Sequence, residues 1–145
     1  MYKRILVAVD GGETAQRAQE AALQLARQGG GTVRLVHAFE AGTYLAGIAY
    51  EPGVIARARE YADDCLAAAL RKAQDAGVPV DAQLLDSSTL RLGELVADAA
   101  REWQADLVVV GSHGKRGLTR ALLGSGAEDV LRQAPVAVLV VKAQQ

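Results

Sequence analysis

Strand-like and helix-like segments follow one another in strict alternation along this chain, with glycine or proline between them, and no other feature limits its fold so strongly. "RILVAVD" is an apolar run closed by Gly11 and Gly12, and the alanine-rich "GETAQRAQEAALQLARQ" behind it reads as a helix that stops at Gly29-Gly30-Gly31. "TVRLVHAF" is a second strand. "VIARAREYADDCLAAALRKAQDAG" carries apolar residues three and four apart and ends at Gly77 and Pro79, so it reads as a long amphipathic helix. "PVDAQLLD" is a third, half-alternating strand; "LRLGELVADAAREW" is a helix behind the caps Ser88 and Thr89; "ADLVVVG", "GAEDVLRQA" and "VAVLVVK" complete the series as strand, helix and strand.

Strands joined by helices of this length are parallel as a rule, and the near-continuous apolar runs of the first, fourth and fifth predict burial on both faces. The expected fold is α/β, a single doubly wound five-stranded parallel sheet of Rossmann-like type. At 145 residues the chain fits a single domain, 1–145, with a core large enough to need no disulfide or metal. The stretch from Glu40 to Gly53, "EAGTYLAGIAYEPG", is too long for a plain connection and reads equally as a lid or as a spacer.

Composition removes several classes of function. Sixteen basic and seventeen acidic side chains leave a net charge of −1, so no basic field draws the protein to nucleic acid or to an anionic membrane. The single cysteine, Cys65, excludes an internal disulfide and a cysteine-rich metal site. It lies in the apolar register Ile55, Ala58, Ala62, Cys65, Ala69, Ala73 and reads as a small core residue. No apolar run approaches the roughly 18 residues of a membrane span, and "MYKRILVAVDGG" lacks the apolar stretch of a cleavable signal, so a cytoplasmic location is expected.

In an open α/β sheet a ligand sits at the carboxyl ends of the strands, which here means Asp10-Gly11-Gly12, His37-Ala38-Phe39, Asp86-Ser87 and the stretch from Gly111 onward. "GSHGKRGLTRALLGSGAED" places glycines at 111, 114 and 124 around a short loop that leads into a helix. Glycines there can take positive φ and let backbone N–H groups approach an anion, and a helix N-terminus favours negative charge. Ser125 adds a hydroxyl, while Lys115 and Arg116 add positive charge. Phosphate is the guest this arrangement suits. A Walker loop does not fit, since Val109 and Arg116 stand where glycine and a hydroxyl would be required. "GGETAQ" lacks the three spaced glycines of a dinucleotide fingerprint.

The spacing Gly, two residues, Gly, nine residues, Gly-Ser in "GSHGKRGLTRALLGS" resembles the ATP-binding signature of the universal stress protein family. The resemblance extends over the chain, through "KRILVAVDGGETAQRAQEAALQLA", "VRLVHAF", "ADLVVVGSHG" and "APVAVLVVK". It implies a cytoplasmic, dimeric protein that holds ATP, with or without magnesium, as a stress-response module. A slow ATP hydrolase or phosphotransferase using the same pocket is the rival reading.

The same resemblance assigns Asp10 to the nucleoside and the backbone of Ala38 to adenine. It assigns Gly111, Gly114, Gly124 and Ser125, with His113 between them, to the phosphates. Ala8, where some relatives carry proline, and Gly126, where many carry a β-branched residue, complete the expected cofactor-binding set. Ala127 also departs from the family, which often has a hydroxyl there. Asp10 can cap the first helix as well as bind. His37 reads as a packed histidine, Trp103 as core, and "RAREYADD" as a solvated helix face. No residue set has the spacing of a metal site, and none is singled out as catalytic. Asp10 and Gly111 can share one ligand only if their strands are neighbours, which sets the expected order at 3-2-1-4-5. That order leaves the fifth strand at an edge, where pairing with a second copy would form a homodimer.

Overall fold

The computed structural model describes residues 1–40, 52–113 and 123–143. Five strands and four helices alternate: β1 (Arg4–Ala8), α1 (Glu13–Gly29), β2 (Thr32–Glu40), α2 (Pro52–Gln74), β3 (Val80–Ser87), α3 (Leu92–Trp103), β4 (Leu107–Gly111), α4 (Ser125–Gln133) and β5 (Ala137–Val141). All neighbouring strands are parallel, as the alternation predicts, and they lie in the order β3-β2-β1-β4-β5 expected if Asp10 and Gly111 share one ligand. The stretch read as a lid or spacer falls almost wholly outside the described residues.

The period of two along each strand divides the core. Ile5, Val7 and Val9 of β1 and its continuation, with Leu107 and Val109 of β4, pack beneath α1 and α2 among Ala18, Ala22, Leu66 and Ala73. Leu6, Val108 and Val110 point the other way, into a second cluster with Val96 and Ala100 of α3 and Val130 of α4. The central strands are therefore buried on both faces, as expected. β5 is not: Ala137 and Leu139 are exposed and Val138, Val140 and Val141 only half-buried. Its apolar run looks like a central strand, but at the sheet edge no second neighbour covers it.

The helix ends correct two local expectations. α1 does stop on glycine, with Gly30 at φ +68 closing the last turn through its N–H to the carbonyl of Ala26. Ser88 and Thr89, however, do not cap α3, which starts behind Arg91 with no side-chain cap from that residue. Ser87 Oγ instead accepts the N–H groups of Thr89 (3.1 Å) and Leu90 (2.8 Å), and Asp129 of α4 reaches across to accept the N–H of Gly93 at 2.8 Å. A carboxylate at the first turn of α3 satisfies both an orphan donor and the helix dipole. It also forces residue 93 to be glycine, because a Cβ there would fall on the Asp129 carboxylate and within 2.8 Å of its carbonyl oxygen.

Trp103 and Cys65 are also less buried than their apolar registers predict. Trp103 is half-buried at the amino end of the sheet, where the guanidiniums of Arg4 and Arg34 lie 4.4 and 4.9 Å from its ring centroid. Arg34 is held there by a two-pronged ion pair with Asp81 at 2.8 and 2.9 Å. Cys65 is half-buried, since the register brings it to the margin of α2 beside Gly11 and not into the cluster beneath.

Candidate functional site

Three strand ends meet at the carboxyl edge of the sheet. After β1 the chain makes a tight turn: the N–H of Val9 continues the ladder to Val36 (2.8 Å), and Asp10 Oδ1 accepts the N–H of Gly12 at 2.8 Å. Asp10 thus organises the turn that leads into α1 without capping the helix, whose N-cap is Gly12, and leaves Oδ2 for other partners. Gly11 lies between them at φ +84, a conformation that only glycine takes without strain. The same residue is also crowded, because a Cβ would stand 3.1 Å from both Cys65 Sγ and Tyr61 Oη on α2, which would have to give slightly. Ala8, half-buried, ends β1 opposite Val36.

β2 brings His37 and Ala38 beside this turn, paired with Leu84 and Leu85 of β3. Ala38 is half-buried and packs against the second core cluster. His37 is also half-buried, and its Nδ1 is a buried nitrogen with no partner. Burial holds its imidazole below the usual pKa, against the opposing pull of Asp10, the Val9 carbonyl and Asp63. Phe39 is buried beneath Arg59, whose guanidinium lies 5.1 Å from its ring and pairs with Asp86 at 2.5 Å. The charged run of α2 is therefore a solvated face with one anchored member.

β4 leads into the third wall. The N–H of Ser112 extends the ladder to Val141 (2.8 Å), and the Ser112 carbonyl accepts the N–H of Gly124 at 2.6 Å, tying the end of β4 to the start of α4. Thr14, buried in the first turn of α1, donates its hydroxyl to the His113 carbonyl at 2.5 Å. His113 Nδ1 lies 2.9 Å from Ser112 Oγ, while its Nε2 is buried and unpartnered. An unpaired buried polar group costs about 1–3 kcal/mol, so its presence calls for an explanation. His37 Nδ1 and His113 Nε2 are the two such side-chain atoms among the described residues, and they flank the end of β1 from either side.

The glycines of this wall act differently from the expectation of positive φ. Gly124, the N-cap of α4, is extended (φ −64, ψ 154). Gly111 is required by packing, since a Cβ there would overlap the Thr14 side chain and come within 2.7 Å of its backbone carbon. Gly126 lets α4 approach α3, where a Cβ would stand 2.7 Å from Leu92 Cδ2. The N-cap of α4 is Gly124, which has no side chain to cap the helix, and Ser125 beside it is exposed; a helix N-terminus of this kind favours an anion. Gly114, Lys115 and Arg116 lie outside the described residues.

The structure thus brings Ala8, Asp10, Ala38, Gly111, His113, Gly124, Ser125 and Gly126 onto one edge of the sheet. Thr14 and Ser112 belong with them and were missed. A hydroxyl in the first turn of α1 is an ordinary helix-start residue in the sequence, and only the β1–β4 adjacency places it against His113. Among the described residues no group of three or more His, Cys, Asp or Glu could hold a metal, and no helix is long and apolar enough to cross a membrane.

Fold and edge together define a doubly wound α/β domain with two buried, unpartnered imidazole nitrogens and a glycine-capped helix N-terminus near the carboxyl ends of its strands. The sequence profile of the universal stress protein family matches residues 1–142, and the chain belongs to that family. A Staphylococcus aureus (strain USA300) protein named as a universal stress protein is 30% identical over 145 residues, covering 99% of this chain and 86% of its own length. A crystal structure of a family member from Burkholderia pseudomallei superposes with a TM-score of 0.79 at 31% identity, covering 98% of this chain and 97% of its own. The universal stress protein of Archaeoglobus fulgidus, solved in complex with dAMP, gives 0.74 at 26% identity over 97% and 98%.

Proposed function

We propose that this protein is an ATP-binding universal stress protein that holds one nucleotide per chain at the carboxyl edge and acts as a nucleotide-dependent regulatory module in a stress response. The observation that carries this reading is the pair of unpartnered buried imidazole nitrogens, His37 on β2 and His113 just after β4, the two strands that flank β1. Buried polar atoms without partners mark places where a ligand supplies the missing hydrogen bond. The dAMP complex of the Archaeoglobus fulgidus relative supports a nucleotide as that ligand. The glycine signature shared with ATP-holding members supports a triphosphate, with or without magnesium.

In this reading the protein binds and orients. Asp10, its Oδ1 committed to Gly12, offers its other oxygen to the nucleoside. The backbone of Ala38 faces the base, and Gly111, His113, Gly114, Gly124, Ser125 and Gly126 surround the phosphates. Bound there, ATP would supply the negative charge that the α4 N-terminus and the His113 ring favour. The protein works in the cytoplasm as a homodimer joined through β5, without nucleic acid or membrane as partner.

Mass spectrometry of the freshly purified, denatured protein should release ATP. Calorimetry should find one site per chain, and Gly124→Val should abolish it with an unchanged melting curve. Valine adopts the extended backbone of Gly124 without strain, so the loss would come from methyl groups occupying the space before the α4 amides. Equal affinity in that variant would mean that the glycine serves only as a turn.

A further inference from the structure

We propose that Ser112 is a positioning residue that fixes the tautomer of His113, so that the Nε2–H of this ring donates to a phosphate oxygen of the bound nucleotide. The inference rests on the nucleotide-binding reading above and adds a residue and a proton location to it.

Ser112 is 3% exposed, and its hydroxyl lies 2.9 Å from His113 Nδ1. A hydroxyl excluded from water needs an acceptor for its proton, and among the described residues the Nδ1 lone pair is the acceptor it has. A neutral imidazole that accepts at Nδ1 carries its proton on Nε2. His113 is further immobilised by Thr14, which donates to its carbonyl, and by the Gly124 N–H, which binds the carbonyl of Ser112. Backbone and ring are thus both held, and the remaining ring nitrogen is a buried donor without an acceptor. α4 begins behind Gly124, the residue whose N–H binds the Ser112 carbonyl, so that donor belongs to the same edge as a helix N-terminus, which favours an anion. A neutral N–H is suited to an anionic oxygen, and its orientation is set before the ligand arrives. With the proton on Nδ1 instead, Nε2 would present a lone pair to that oxygen and repel it.

The test combines a spectrum with a mutant cycle. In alkaline buffer, ¹⁵N shifts of the ligand-free protein should show His113 protonated at Nε2 alone, and addition of ATP should move that nitrogen. Ser112→Ala should mix the two tautomers and weaken ATP by roughly three- to tenfold, with adenosine affinity unchanged. His113→Gln retains a donor near the Nε2 position independently of Ser112. In that background Ser112→Ala should change ATP affinity by less than about twofold. An Nδ1–H tautomer in the wild type would overturn the inference while leaving nucleotide binding intact, as would an equal effect of Ser112→Ala in both backgrounds. A wild-type protein without ATP affinity would overturn the function itself and with it the phosphate partner of His113.

Discussion

At the scale of single residues, close packing and ligand geometry make different demands on the same glycines. Gly111 has a glycine signature's position but is held by Thr14, whose backbone leaves no room for a methyl group. Gly111→Ala is therefore expected to lower stability by about 1–3 kcal/mol through overpacking, visible as an earlier denaturant midpoint. An unchanged midpoint would mean that α1 yields freely and that the glycine answers to the ligand alone. His37 carries a second prediction. Burial disfavours its charged form, so the unfolded chain takes up the proton first as pH falls through about 6.5. Its contribution is fully present above that pH and declines as pH falls toward the lower folded value. His37→Gln should flatten the stability profile as pH falls below about 6.5; a variant with the wild-type slope would assign that slope to other groups. The residues of the candidate site were singled out from "DGG", "HA" and the glycine spacing. Thr14 and Ser112 were not, because their roles arise from contacts across 99 residues of chain and from one ring orientation.

At the scale of elements, the alternation of segments named every strand and helix, and the demand that Asp10 and Gly111 share a ligand selected the strand order that the sheet adopts. What the pattern could not convey was which apolar strand lies at an edge. "VAVLVV" has the composition of a central strand, yet β5 leaves Leu139 37% exposed, and Leu131 on the neighbouring α4 is 44% exposed. Helix starts were equally hidden, since α3 is capped by Asp129, a residue 36 positions away in sequence. An edge strand this apolar invites pairing through its free backbone groups, and a twofold mate satisfies both copies at once. Leu139→Asp removes apolar surface and adds like-charge repulsion across the twofold axis, whereas Val138 and Val140 pack on the second core cluster and would confound the result. Light scattering should show a wild-type dimer and a monomeric Leu139→Asp protein with an intact fold. A wild-type monomer at micromolar concentration, or a variant that remains dimeric, would place the contact elsewhere.

At the scale of the molecule, the core lies between sheet and helices while the site lies at the ends of the strands, and the same separation bears on whether this protein turns ATP over. Fast phosphoryl transfer needs an oriented nucleophile, a positioned γ-phosphate and a group to orient or deprotonate the attacking water. The carboxylates nearest the candidate phosphate end in sequence are engaged elsewhere: Glu128 pairs with Arg132 at 3.1 Å, and Asp129 caps α3 through Gly93. Asp10, which the proposed function places at the nucleoside, holds the β1–α1 turn through Gly12. Among the described residues, what the proposed site offers phosphate is the N-terminus of α4, the Ser125 hydroxyl and the His113 ring, all of which favour the bound ground state. Binding of that kind stabilises the complex without lowering the barrier that leads out of it. We therefore expect ATP to be retained far longer than it is hydrolysed. Single-turnover measurement with labelled ATP and magnesium decides the matter, and hydrolysis near the roughly 10 per second of a median enzyme would replace the regulatory module with an ATP hydrolase or phosphotransferase working in the same pocket.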